Sequence, residues 1–109
     1  MSPKPDVLQG TLDLMVLKTL EALGSTHGYG IARRIEQVAG NVELTQGSIY
    51  PALVRLEERG WISSKWGTSD NNRRARYYEL TRLGRKQIVK EIENWSRVQA
   101  MMERFLEGA

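Results

Sequence analysis

One stretch limits what this chain can become more than any other. From Thr45 to Ile62 the sequence runs TQGSIYPALVRLEERGWI. Ile49, Leu53 and Leu56 recur at i, i+4 and i+7, one face of a helix. Tyr50, Val54, Arg55 and Glu58 fall on other faces. Thr45 or Ser48 is expected to cap the start, because a hydroxyl can accept an unpaired N–H of the first turn. Gly60 lies where a helix ends in a left-handed turn, and Trp61 and Ile62 begin an extended segment. Pro51 has no N–H and costs about 3 kcal/mol in a helix interior, so the helix is expected to start late or bend there. Its small polar tip, Gln46-Gly47-Ser48, is narrow enough to enter a DNA major groove. A core helix with a polar outer face fits the same pattern, so the remainder of the chain has to separate the two.

Before this stretch, Met1–Asp6 holds two prolines and reads as a loose tail. A first helix is expected over about Val7–Leu23, with Leu12, Met15, Val16, Leu20 and Leu23 at helical spacing. Leu8, Leu14 and Leu17 widen that stripe, which makes the helix a core element. Gly24–His27 reads as a turn. His27, the only histidine, suits a cap or packing role better than catalysis or ligation. A second helix is expected over Gly28–Val38, with Tyr29, Ile31, Ile35 and Val38 apolar. It is joined through Gly40–Leu44 to the central helix, giving a helix-turn-helix pair.

After Gly60, WISSKW and ARYYEL read as strands around the turn-rich GTSDNNRR. Three helices followed by a hairpin make a winged helix, with Arg73, Arg74 and Arg76 at or just after the wing tip. Thr81 is expected to cap a last helix from Arg82 to about Glu107, roughly 39 Å long at 1.5 Å per residue. Ile88, Ile92, Trp95, Gln99, Met102 and Leu106 alternate at four and three residues, a heptad seam with one polar position. Val98 and Phe105 widen it. A stripe of this kind on a protruding helix calls for a partner, most simply a second copy.

With 109 residues, 40% of them hydrophobic, the chain is expected to form one small domain plus one appended element. A core of that size is marginal alone, which also favours association. There is no cysteine, hence neither a disulfide framework nor a cysteine metal site. No apolar run approaches the ~18 residues of a membrane span, and MSPKPDVLQG lacks the apolar centre of a signal peptide. A cytoplasmic location is the expectation. The net charge is only +3, but Trp61–Lys90 carries eight basic residues against Asp70 and Glu79. That segment is +6 and the remainder −3, a distribution suited to a polyanion.

Four segments in order, GTLDLMVLKTL (10–20), HGYGIARRIE (27–36), GSIYPALVRLEERGWI (47–62) and RRARYYELTRLGRK (73–86), resemble the PadR-type transcriptional regulators. The resemblance covers about Leu8 to Lys90. It implies a winged helix DNA-binding domain (residues 7–81), a dimerisation helix (82–107) and repression of a nearby gene. A single C-terminal helix is similar to the short branch of the family. By the same resemblance Gln46, Ser48 and Tyr50 match the DNA-facing start of the recognition helix, and Lys65 and Arg73 to Arg76 match the wing. Arg55, on an outward face of that helix, and Asn72, in the basic wing tip, complete the candidate DNA contacts. Ile88, Ile92, Trp95, Gln99, Met102 and Leu106 are the candidate dimer contacts.

The expected function is therefore that of a homodimeric, sequence-specific repressor on a palindromic operator, with double-stranded DNA and a second copy as partners. The alternative is a winged helix used only for protein–protein assembly, although such a module would more often expose apolar residues where this chain is basic. An enzyme is not indicated: there is no nucleophile–base pair, metal constellation or phosphate loop, and no cofactor is expected. Trp95 has two uses. It packs the dimer, or a pair of Trp95 rings stacks a small flat aromatic effector, as in some short members of the family.

Overall fold

The computed structural model describes residues 9–40 and 44–108. The expected tail, Val7 and Leu8 of the first helix, and the middle of the 40–44 connection lie outside the described residues. Four helices and three short strands follow in the order α1 (Gln9–Leu23), β1 (Thr26–His27), α2 (Gly28–Ala39), α3 (Gln46–Glu58), β2 (Ile62–Thr68), β3 (Arg74–Leu80) and α4 (Arg82–Leu106). The architecture is mainly α with a small antiparallel sheet, the winged helix arrangement.

The sheet has one strand more than the expected hairpin. β3 is its centre, with β2 on one side and β1 on the other. The segment expected as a turn pairs Thr26 with Tyr78 and His27 with Tyr77. Two residues are too few to show a period, so this strand has no sequence signature. His27 also caps α2, its Nδ1 accepting the Gly30 N–H at 3.0 Å, one of the two roles expected of it.

The core draws Leu12, Val16, Leu17 and Leu20 from α1, Ile31, Ala32 and Ile35 from α2, and Ile49, Ala52, Leu53 and Leu56 from α3. Ile62, Tyr78 and Leu80 close it from the sheet. Burial pushes the Tyr78 phenol above its ordinary value, with nearby Arg76 pulling the other way. Leu23, Tyr29 and Val38, expected with the apolar faces of their helices, are exposed, since each lies within two residues of a helix end.

α3 ends in a double closure. Trp61 N–H donates to the Leu56 carbonyl and Gly60 N–H to that of Glu57, both at 3.0 Å, with Gly60 at φ 78°. This satisfies two orphan carbonyls and turns the chain directly into β2. Thr81 then joins the sheet to α4. Its hydroxyl accepts the Gly84 N–H at 3.0 Å and donates to the Gly60 carbonyl at 2.6 Å. It is the expected cap, and it also fixes the start of α4 to the end of α3.

Candidate nucleic-acid interface

The tip of α3 is built from its backbone. Ser48 and Ile49 N–H groups both donate to the Thr45 carbonyl at 3.0 Å. Neither hydroxyl caps as expected: the Thr45 side chain makes no capping bond and lies 3.4 Å from the Ser48 hydroxyl instead. Nor does the helix start late. It begins at Gln46, and Pro51 sits in its second turn. Proline lacks the donor for the Gly47 carbonyl one turn back, but Gly47 is exposed, so solvent can serve that oxygen. Ser48 and Tyr50 are exposed. The side chain of Gln46 lies outside the described residues. Tyr50 crosses onto α2, where a Cβ at Gly28 would stand 3.3 Å from its Cζ and hydroxyl oxygen.

Arg55 departs from expectation. Its Nη2 donates to Asp13 Oδ1 at 2.8 Å, and Asp13 is only 4% exposed. Arg59 Nη1 approaches the other oxygen of Asp13 at 3.7 Å. A carboxylate this deep needs a partner, and that need turns Arg55 away from the outer surface and ties α3 to α1.

The wing ends in a tight turn. The strands run to Thr68 and resume at Arg74, leaving a short turn closed by Ser69 N–H to the Arg73 carbonyl at 2.7 Å and Asn72 N–H to the Ser69 carbonyl at 2.9 Å. Asn72 holds the turn with φ 58°, a conformation asparagine tolerates better than most residues. Arg73 is at the turn, but Arg74 and Arg76 stand in β3, on the face they share with Trp66. Their Cζ atoms lie 4.6 Å and 5.3 Å from the Trp66 ring centre. Arg76 Nε donates to the Ser64 hydroxyl at 2.8 Å, which donates to Glu57 Oε2 on α3 at 2.6 Å. Lys65 pairs with Tyr77 and is exposed on the opposite face.

Between the helix pair and the wing opens a cleft of about 880 Å³. Arg33, Tyr29 and Tyr50 line it from the helices, and Trp66, Arg73, Arg74 and Arg76 from the wing, with Asp70 as its one acidic residue. The structure thus brings Tyr50 together with three wing arginines, and leaves Ser48, Arg55, Lys65 and Asn72 outside the cleft lining. Trp66, Arg33 and the Glu57–Ser64 link were not singled out from sequence. The alternation Ile62-Ser64-Trp66 would have put Trp66 on the core-side face of β2, but not beside the arginines.

α4 divides the expected seam. Ile88 is 3% exposed and belongs to the core of its own domain. This corrects its expected place at the dimer contact: the first two turns of α4 still lie against α1 and β3. Beyond them Ile92 (41% exposed), Trp95, Gln99, Met102 and Leu106 face outward, and Val98 and Phe105 extend the stripe. Trp95 and Val98 line a groove of about 190 Å³ against Gly10, Thr11 and Leu14 of α1.

Among the described residues no group of three or more metal-ligating side chains is assembled, and no helix is long and apolar enough to cross a membrane. The chain is similar in structure to a transcriptional regulator from Clostridium thermocellum, with a TM-score of 0.81, 28% identity, and coverage of 93% of this chain and 98% of that one. It is also similar to a PadR family transcription regulator from Clostridium difficile R20291, with a TM-score of 0.71, 28% identity, and coverage of 87% and 97%. A curated relative, protein X of Lysinibacillus sphaericus, is 24% identical over 106 residues, 96% of each chain. The model of the transcriptional regulator PadR-like family matches residues 16–90. A winged helix with a basic cleft beside its third helix, matched over most of its length by that model, belongs to the PadR-like family and is a DNA-binding transcriptional regulator, not an enzyme.

Proposed function

We propose that the chain acts as a homodimer that represses transcription by binding a palindromic operator. The observation that carries this reading is the cleft, where four arginines and two tyrosines meet a single aspartate between the helix pair and the wing. In this reading Gln46, Ser48 and Tyr50 meet base edges in the major groove, and Asn72, Arg73, Arg74 and Arg76 hold the backbone or an adjacent minor groove; Lys65, on the other face of the wing, reaches at most a flanking phosphate. Arg55 acts from behind, holding α3 in place through Asp13.

The dimer half of the proposal is supported by the exposed stripe Ile92, Trp95, Gln99, Met102 and Leu106. Soluble monomers avoid leaving such a stripe in water. Residues 7–81 would supply the DNA-binding unit and 82–107 the dimerisation helix, although Ile88 anchors the start of that helix in the first unit. In this reading Trp95 packs the dimer; a small flat aromatic effector between paired Trp95 rings is the lesser alternative. A cytoplasmic setting follows from the proposed role.

Selection of bound sequences from a random DNA pool tests it. The expected outcome is a pair of inverted half-sites about one turn, roughly 34 Å, apart. Ser48→Ala should then relax preference at one position, at a cost of about 1–3 kcal/mol on the best site. Recovery of no preferred sequence, with equal losses on selected and random DNA, would remove the sequence-specific role.

A further inference from the structure

Trp66 is 55% exposed on the wing, yet it is not an isolated apolar residue. Arg74 and Arg76 both lie over its ring. Two like charges are thereby gathered at one side chain, and among the described residues no carboxylate pairs with either. Glu57 reaches Arg76 only through the Ser64 hydroxyl. A guanidinium held over an aromatic ring by the ring's electron density keeps N–H donors free for a second partner. Because Arg76 spends Nε on Ser64, its two Nη groups are the donors left for a ligand. The cleft they border carries Arg33 and Arg73 as well, a charge that suits an anion. A phosphate ester, with several oxygens to accept paired donors, fits this fork.

We infer that Trp66 is a positioning residue for DNA: its ring holds Arg74 and Arg76 together as a preordered clamp for a backbone phosphate entering the cleft. This rests on the DNA-binding reading above. Long arginine side chains free in solution lose rotamer freedom on binding. Held over the Trp66 ring they are ordered beforehand, and the loss is not repeated at association.

DNA titrations of the full chain over a salt series, with thermal unfolding alongside, test the inference. Trp66→Leu is expected to weaken selected and random DNA alike by about tenfold while leaving the salt slope close to that of wild type, because both arginine charges remain; Arg74→Ala/Arg76→Ala should make the slope shallower instead. Trp66→Phe, which keeps an aromatic face, should recover most of the loss. In an Arg74→Ala/Arg76→Ala background the same change should cost nothing further. An undiminished tenfold loss in that background would mean that Trp66 touches DNA itself, and a Trp66→Leu chain that binds like wild type would make the contact decorative. Either result overturns the inference while leaving the DNA-binding reading intact, whereas a wild-type chain that binds no DNA removes that reading first. Should Trp66→Leu unfold, Trp66→Gln, which also lacks a π face but suits an exposed strand, carries the same comparison.

Discussion

Asp13 of α1 and Arg55 of α3 meet at 2.8 Å across 42 residues of sequence. The carboxylate is buried, while a quarter of the arginine side chain reaches solvent. A wholly buried pair costs about 3–5 kcal/mol when one partner is removed. The partial exposure of Arg55 reduces that, and Asp13→Ala is expected to destabilise the fold by about 1–3 kcal/mol. Denaturant titration measures this. Arg55→Ala should also lower stability, yet leave the salt slope of DNA binding unchanged, because the arginine is spent internally. A slope shallower by a full unit would return Arg55 to the DNA surface.

At the start of α4, a Cβ on Gly84 would stand 2.0 Å from the Trp61 carbonyl oxygen, backbone against backbone. Neither group can turn aside as a flexible side chain would. Gly84→Ala is therefore expected to cost about 3 kcal/mol or more, and to lower the melting temperature by well over ~10 °C in a domain of this size. Gly10→Ala is the control, since a Cβ there meets nothing within 4 Å. It should be neutral or gain up to about 1 kcal/mol of helix propensity.

Ile88 and Ile92 share a helical face but have different surroundings, 3% and 41% exposed. Ile88→Asp is expected to unfold the domain. Ile92→Asp should leave the monomer folded and place an unpaired charge in the proposed dimer contact, giving a monomer with much weaker operator binding. Sedimentation beside a DNA titration of the same sample checks both. A folded Ile92→Asp monomer that holds its operator as tightly as wild type would break the link between dimer and binding.

Tyr78 supplies a pH dependence. Its phenol is raised by burial, so the folded chain holds this proton more tightly than the unfolded one. The stability it contributes is present in full below the unfolded value of about 10 and is lost as the pH rises through the folded value. Thermal unfolding between pH 8 and the alkaline limit should show stability falling above about pH 10, and Tyr78→Phe should flatten that fall.

Much of this was legible in the chain because helices and turns are local. The faces of α1 and α3, the glycine closure at Gly60, the Thr81 cap and the hairpin each rest on residues within a few positions of one another. The i to i+4 bond and the period-two strand make such spacing visible. Charge placement was legible for the same reason: the basic residues cluster along the sequence before they cluster in space.

What only the tertiary structure decided are the meetings between distant segments. Arg55 has the spacing of an exposed residue, but a buried Asp13 in another helix claims it. Ile88 has the spacing of the seam, but α1 and β3 cover it before a partner could. Thr26 and His27 become a strand only because β3 has a free edge beside them. Trp66 and the two wing arginines lie up to ten residues apart in the chain, and the antiparallel register makes them neighbours. In each case the residue's own period is satisfied either way, and the fold goes to whichever arrangement leaves a buried charge paired, an apolar face covered and a strand edge bonded.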